Sequence, residues 1–279
     1  MAIRIVTDST CDIPIEDKQK LGIDIVPLSV IFGDNKYTDG YELKKEKFYE
    51  MLSECTELPS TSQVNPDGFF DLFSGYVDAG DQVIAMFISS KLSGTYQSAV
   101  IAKDMIGKGD IFIIDSQTTT FGLALLVFEA IRQRDAGVAA KKIADSIDEL
   151  KSKVKFLSVV DTLKYLKMGG RLSSSSAIIG GMLHIKPLVS VTGGEVKSIG
   201  KERGLQVAYQ KIVELMKENE PDTDYPMVFG HSNALKMAEA FIKKIGSAFD
   251  VSNRELLEIG CVIGTHTGPG CVGLGYIEK

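Results

Sequence analysis

The stretch IRIVTDSTCD, residues 3–12, opens the chain with a β-branched run that turns abruptly polar. Runs of this kind recur in the first half of the chain, and helical patterns with apolar residues three and four positions apart separate them. Strands that alternate with helices in this way predict a parallel sheet with crossover helices. The predicted strands are Ile3–Thr7, Ile23–Ile31, Val83–Ile88 and Ile111–Asp115, and the predicted helices are Leu43–Glu54, Pro66–Asp78, Ser93–Ile106, Thr120–Ala136 and Val138–Ser152.

The second half has a different pattern. The runs Ile185–Val191 and Glu195–Ile199 flank Thr192-Gly193-Gly194, a hairpin signal because glycine accepts positive φ. A hairpin in a series of strands and helices predicts a mixed sheet under one helical layer. The other predicted elements are the helices Leu205–Asn219 and Asn233–Ser247 and strands near Met227–His231 and Glu255–Val262.

The length of the chain favours two domains. It has 279 residues, of which 44% are hydrophobic, and single cores usually stop growing at roughly 250 residues. The strand-like run Lys155–Val160 separates the two patterns, so we place the domains at residues 1–155 and 156–279.

Charge and cysteine usage exclude several classes of protein. The net charge is −6 with a pI near 5.3, and the scattered basic residues offer no surface for nucleic acid. The four cysteines have no CxxC spacing, and the N-terminus lacks the apolar run of a signal peptide. No apolar run approaches the ~20 residues of a membrane span. We therefore expect a soluble cytoplasmic protein and, without a heptad seam, a monomer.

Several segments rich in hydroxyl groups and glycine lie where a predicted strand leads into a helix. In an open parallel sheet, these C-terminal strand ends line the ligand crevice. Thr7–Asp12 follows the first strand, although a turn with Asp12 as a helix cap before Pro14 is the favoured explanation. Pro59–Gln63 places three consecutive hydroxyls in a predicted loop. In Ser89–Thr95, Ser93 lies at a predicted helix start, which suits a carboxylate or phosphate, and Gly94 would let an anion approach the backbone. The alternative is that Ser93 is an ordinary N-cap.

Two further segments carry a candidate cation or imidazole. Met168–Leu172 contains Arg171 and precedes a predicted helix, Ser173–Gly181, although an isolated arginine is more often a surface charge. Gly264–Gly270 places His266 in a predicted glycine-rich loop, where the imidazole could donate a hydrogen bond to an anion.

Familiar catalytic motifs are absent from the sequence. It has no GxxxxGK[ST] loop, no HExxH helix and no GxSxG elbow. Because only His184, His231 and His266 are present and no cysteine pair exists, we predict no metal site. The glycines of the dinucleotide fingerprint are also missing after the first strand.

Read together, the polar segments resemble the DegV family of bacterial fatty-acid-binding proteins along the whole chain. The segments that carry the resemblance are Asp8-Ser9-Thr10-Cys11-Asp12, Thr61-Ser62-Gln63, Ser93-Gly94-Thr95-Tyr96, Gly170-Arg171-Leu172, Lys186-Pro187 and His266-Thr267-Gly268-Pro269-Gly270. The resemblance implies an α/β, DegV-like two-domain fold. Its N-terminal domain is a three-layer α/β/α domain with a parallel sheet, and its C-terminal domain is a two-layer α/β domain with a mixed sheet.

The resemblance also implies a ligand and a partner. A long-chain fatty acid, such as palmitate or oleate, would lie in a buried apolar tunnel without any other cofactor. Its carboxylate would contact Thr61, Ser93, Gly94 and His266, with Ser62 a further candidate. A separate fatty acid kinase would phosphorylate the acid to an acyl phosphate and would interact with Arg171 and Arg203. The chain itself would not be an enzyme.

Two other functions fit parts of the sequence. A hydrolase or transferase would use Ser93 as nucleophile and His266 as base, with Asp8 or Asp115 orienting the imidazole. In a pure interaction module, the hydroxyls would be ordinary caps.

Overall fold

A computed structural model describes residues 1–173 and 184–279. The strands are β1 (Ile3–Asp8), β2 (Ile23–Val26), β3 (Ser29–Phe32), β4 (Asn35–Thr38), β5 (Ser60–Ser62), β6 (Gln82–Phe87), β7 (Ile111–Asp115), β8 (Val154–Val159), β9 (Ile185–Thr192), β10 (Glu195–Arg203), β11 (Met227–His231), β12 (Arg254–Glu258) and β13 (Val272–Ile277). The helices are α1 (Lys18–Leu21), α2 (Lys45–Glu54), α3 (Pro66–Asp78), α4 (Thr95–Ile106), α5 (Thr120–Asp135), α6 (Ala140–Leu150), α7 (Lys164–Met168), α8 (Leu205–Glu218), α9 (Leu235–Gly246) and α10 (Cys261–Thr267). The helix expected at Ser173–Gly181 lies almost entirely outside the described residues.

The first half contains the expected parallel sheet, with strand order β2-β1-β6-β7. Residues Val83–Phe87 of β6 are completely buried, as in parallel strands covered on both faces. Helices α3 and α4 contact each other and β6, and α5 and α6 form a second contacting pair on the sheet. This confirms the α/β prediction for the first half.

The prediction of one strand over Ile23–Ile31 is wrong. Pro27 divides it into β2, which belongs to the parallel sheet, and β3, which joins β4 and β5 in a small antiparallel sheet. Proline has no N–H to donate, so a continuous central strand cannot pass through it. Thr61 was expected in a loop but lies in β5, where it is paired with Val30 of β3.

The second half forms the expected mixed sheet, with order β10-β9-β8-β13-β11-β12. The β9-β10 hairpin is present, and Gly193 and Gly194 of its turn have positive φ. Helices α8 and α9 contact the sheet, and Tyr209, Phe229 and Phe241 fill the space between them. Helix α5 contacts strands of both large sheets, which explains why it is apolar and buried nearly all round.

The strand predicted at Glu255–Val262 extends too far. Strand β12 ends at Glu258, where its pairing with β11 ends, and helix α10 begins at Cys261. His266 therefore lies on a short helix and not in a loop. The domain boundary at residue 155 stays a prediction, although it falls just after the start of β8.

Candidate functional site

A cavity lies between the carboxyl ends of the parallel strands and the mixed sheet. Its volume is about 140 Å³, counted as the space open to the centre of a water molecule. A single water needs roughly 10–15 Å³ of such space, so the cavity is many times larger than a site for one water.

Most of the cavity wall is apolar. Aromatic and aliphatic side chains reach it from the mixed sheet, from the segments that follow β2 and β6, and from α5, α7 and α10. Phe121 stacks on Phe156 with ring centroids 4.6 Å apart. The apolar lining comprises Leu28, Ile88, Leu92, Phe121, Phe156, Leu166, Val189, Val191, Val196, Ile259, Val262 and Ile263. A wall of this kind favours a hydrocarbon over water.

Five of the seven candidate residues line this cavity: Thr61, Ser93, Gly94, Arg171 and His266. They come from β5, from the segment between β6 and α4, from the segment after α7, and from α10. The Oγ1 atom of Thr61 lies 2.9 Å from Nε2 of His266. Residues 205 positions apart in the chain thus share a hydrogen bond at the cavity wall.

Ser93 lies in the turn that begins helix α4. Its Oγ is 3.0 Å from Oγ1 of Thr95 and accepts a 3.3 Å hydrogen bond from the Thr95 N–H. The Ser93 N–H donates to the Ser89 carbonyl oxygen. The turn therefore fixes the backbone, and Ser93 lines the cavity while its hydroxyl accepts the N–H of the first residue of α4. The N-cap position is Gly94, so the alternative in which Ser93 is an ordinary N-cap is wrong.

His266 is neutral at physiological pH. Desolvation, and to a smaller extent the nearby positive charge of Arg171, together lower the pKa of His266 to about 4. Its Nδ1 atom is buried and has no hydrogen-bond partner among the described residues. The imidazole therefore acts on Thr61 as a neutral hydrogen-bonding group.

Arg171 brings a positive charge to the cavity wall. Its Nη1 donates to the Gly169 carbonyl oxygen at 2.6 Å, and its Nε donates to that of Leu92 at 3.3 Å. Among residues 1–173 and 184–279, Arg171 forms no salt bridge. An anion beside Ser93 would therefore meet a cation that no carboxylate of this part of the chain neutralises.

Two glycines allow close packing that the sequence patterns did not reveal. A Cβ on Gly94 would lie 2.0 Å from Oε1 of Gln63, and a Cβ on Gly169 would lie 2.3 Å from Nδ1 of His266. Gln63 also donates to Oγ of Ser98, so β5 is tied to α4. Only the folded contacts identify Gln63 and Gly169 as supports of the site.

Ser62 and Arg203 do not line the cavity. Successive side chains of a strand point to opposite faces, so Ser62 is directed away from the face on which Thr61 contacts His266. Arg203 ends β10 and is exposed.

The hydrogen bonds do not assemble the alternative Ser-His-Asp arrangement. Ser93 bonds to Thr95, and His266 bonds to Thr61. The carboxylates proposed to orient the imidazole are engaged elsewhere: Asp8 accepts from Thr10 and Ile88, and Asp115 accepts from Ser90 and Gln117.

Within the described ranges, no group of three acidic, cysteine or histidine side chains is arranged to hold a metal ion. In the same ranges, no helix combines the length and the apolar character needed to cross a bilayer.

A parallel sheet with helices on both faces, followed by a mixed sheet with two helices packed on it, defines a two-sheet α/β class of protein. The model of the DegV family, described as uncharacterised proteins, matches residues 2–279. A DegV domain-containing protein of Caldanaerobacter subterraneus subsp. tengcongensis is 37% identical over 278 residues, covering 99% of each chain. The chain belongs to the DegV family.

Solved structures show the same fold. A fatty-acid-binding DegV family protein from Thermus thermophilus has a TM-score of 0.91 and 28% identity, with 100% of both chains covered. A stearic acid-binding protein from Eubacterium ventriosum has a TM-score of 0.90 and 29% identity, covering 100% of this chain and 99% of that one. The α/β fold class with one parallel and one mixed sheet is thereby confirmed.

Proposed function

We propose that the protein binds a long-chain fatty acid, such as palmitate or oleate, in the cavity between its two large sheets. The observation that carries this proposal is the apolar wall with Thr61, Ser93, His266 and Arg171 gathered at it. Fatty-acid binding by the relatives from Thermus thermophilus and Eubacterium ventriosum supports the same ligand.

The tail and the head of such a ligand have opposite requirements. Burial of an acyl chain is favourable by about 0.8 kcal/mol per methylene. A carboxylate that leaves water must instead find donors, because an unpaired buried charge is costly. The hydroxyls of Thr61 and Ser93, together with the N–H of Gly94, would donate to it, and the charge of Arg171 would attract it.

His266 would act through Thr61. If Nε2 carries the imidazole proton, it donates to Oγ1 of Thr61, and the threonine hydroxyl is then free to donate to the carboxylate. The low pKa of His266, about 4, keeps the ring neutral. The head group would thus be held by neutral donors beside one fixed cation.

The test is to measure the affinity for oleate by equilibrium dialysis in Thr61→Ala and Ser93→Ala. Each change removes a hydrogen bond to a charged group, worth about 1.5–3 kcal/mol, so we expect a loss of roughly 10- to 100-fold. Ser53→Ala, an exposed serine of α2 whose hydroxyl bonds only to Glu50, is the matched control. Unchanged oleate affinity in both variants would contradict the proposed head-group site.

We propose further that the protein presents the bound acid to a separate kinase, as a cytoplasmic monomer without catalysis of its own. The supporting observation is that Thr61, Ser93 and Arg171 are partly exposed, so a second protein can reach the head group. The pure chain with ATP, magnesium and oleate should give no acyl phosphate, whereas an added fatty acid kinase should produce it. Arg203→Ala should slow that reaction more than Arg254→Ala, another exposed arginine.

A further inference from the structure

A second cavity lies at the opposite end of α10 from His266. Its volume, counted as for the first, is about 450 Å³. Asp12, Asp39 and Gly260 line it where α10 begins, and Ile13 and Leu257 form part of an apolar wall. The fatty-acid proposal does not use any of these residues.

Two buried carboxyl groups form the inner wall of this cavity. Asp12 and Asp39 are each only 3% exposed. Oδ1 of Asp12 accepts the Gly260 N–H at 2.8 Å, and Oδ1 of Asp39 accepts the Cys261 N–H at 3.2 Å. Both carboxyl groups approach the same point, because a Cβ on Gly260 would lie 3.0 Å from Asp12 Oδ1 and 3.6 Å from Asp39 Oδ2.

The two carboxyl oxygens of Asp12 differ in their hydrogen bonding. Oδ2 of Asp12 is buried and has no hydrogen-bond partner among the described residues. A buried acceptor without a partner costs about 1–3 kcal/mol and more if it is charged. A ligand that supplies a donor and a positive charge would remove that cost.

The charges around the cavity favour a cation. Five carboxyl side chains line it, those of Asp12, Asp39, Glu16, Glu46 and Glu258, against the two lysines Lys44 and Lys45. The lysines are already engaged, since Lys44 donates to Glu16 and Lys45 donates to the Glu258 carbonyl oxygen.

We propose that this second cavity binds a small organic cation, an ammonium or guanidinium group on a short apolar stem. The cationic group would pair with Asp12 and Asp39, and the stem would lie against Ile13 and Leu257. A guanidinium matches a carboxylate especially well because its planar fork can donate two parallel hydrogen bonds. A metal ion fits less well, since no set of three ligands exists within the described ranges.

The site also implies proton release. Burial raises the pKa of Asp12 well above its ordinary value, Lys45 and the Gly260 N–H oppose this, and Asp39 and Asp8 add to it. The other ionisable groups near Asp12 are Cys11, Tyr49 and Cys271, and those of the cavity wall are Glu16, Lys44, Glu46, His231 and Glu258. Because a cation favours the ionised carboxylate, binding should release a proton and tighten as pH rises.

The experiment is calorimetric titration of the full chain with n-butylguanidinium and with n-butylurea, its neutral isostere. We expect the guanidinium to bind at least tenfold more tightly and its affinity to rise from pH 5 to pH 8. Asp12→Asn should weaken it at least tenfold, whereas Glu239→Gln, an exposed residue of α9 that does not line this cavity, should change it less than twofold.

Equal affinity for the two probes, or an affinity that falls as pH rises, would overturn the proposal. So would an Asp12→Asn variant that is folded and binds the guanidinium like the parent. Because the probe comparison and the pH series use the unaltered protein, they decide the question even if that variant does not fold.

Discussion

The two ends of helix α10 meet two different cavities. At its start, the first N–H groups are accepted by buried carboxyl groups, those of Asp12 and Asp39. Near its end, His266 is neutral and shares a hydrogen bond with the hydroxyl of Thr61. One end is rich in carboxyl groups, and the other offers neutral donors beside Arg171. Seven residues of helix thus separate an environment suited to a cation from one suited to an anion.

The largest effect should come from filling the space in which His266 packs. Gly169→Ala places a methyl group on Nδ1 of the ring, so the imidazole must shift and its hydrogen bond with Thr61 is disturbed. We expect oleate affinity to fall about 10- to 100-fold, the equivalent of one hydrogen bond to a charged group. Gly75→Ala, with open space around it, is the control for dialysis, and equal affinities in the two variants would refute this packing role.

Because His266 is buried in its neutral form, the free energy of unfolding should fall as the solution becomes more acidic. Its folded-state pKa of about 4 lies below the ordinary 6.5, so between these values the unfolded chain binds more protons and stability falls as pH falls. From pH 7 to pH 5 the loss should be about 2 kcal/mol. The free energy of unfolding of His266→Gln, measured with urea, should lack this part of the pH dependence. If the variant lost as much unfolding free energy from pH 7 to pH 5 as the parent, the ring would not be buried in its neutral form.

Asp8, a buried carboxyl group at the end of β1 that does not line the second cavity, should respond with the opposite sign. Burial raises the pKa of Asp8 from 3.8 to about 6, so between these values the folded protein binds more protons and gains stability as pH falls. The gain from pH 7 to pH 5 should be about 1 kcal/mol. Asp8→Asn should remove it, so that the variant loses more stability than the parent over this range in the same urea experiment. A smaller loss would reverse the assigned sign.

The smallest effect should come from Ser62. It neighbours Thr61 in β5 but does not line the first cavity. Ser62→Ala should leave oleate affinity within twofold of the parent. A tenfold loss in dialysis would place Ser62 in the head-group site and contradict the strand geometry.

The sequence predicted most of the fold because hydrophobic periodicity is local. The strands before Asp8 and Asp115 and the hairpin at Gly193 appear where the pattern indicated. The break at Pro27 was readable from the sequence, because proline cannot donate to a central strand. The other differences depend on tertiary pairing: β3 pairs with β5, and α10 begins after the pairing of β12 with β11 ends at Glu258.

The residues of the candidate site also fall into two groups, those that the sequence predicted and those that only the folded structure revealed. Residue types and their order identified Thr61, Ser93, Gly94, Arg171 and His266, all of which the fold brings to one cavity. The supporting residues could not be found in this manner. Gly169 matters through its distance to the His266 ring, and Gln63 through its distance to Gly94.

The sequence by itself determined the family and the order of the elements, because motifs and hydrophobic periodicity are local, and the resemblance of those motifs predicted which residues would hold an anion. Only the tertiary structure decided which hydroxyl of β5 faces the cavity, that His266 is neutral, and that a second, acidic cavity exists. Burial and pairing depend on segments more than 200 residues apart, and the free energy of a charged group is set by what surrounds it in space.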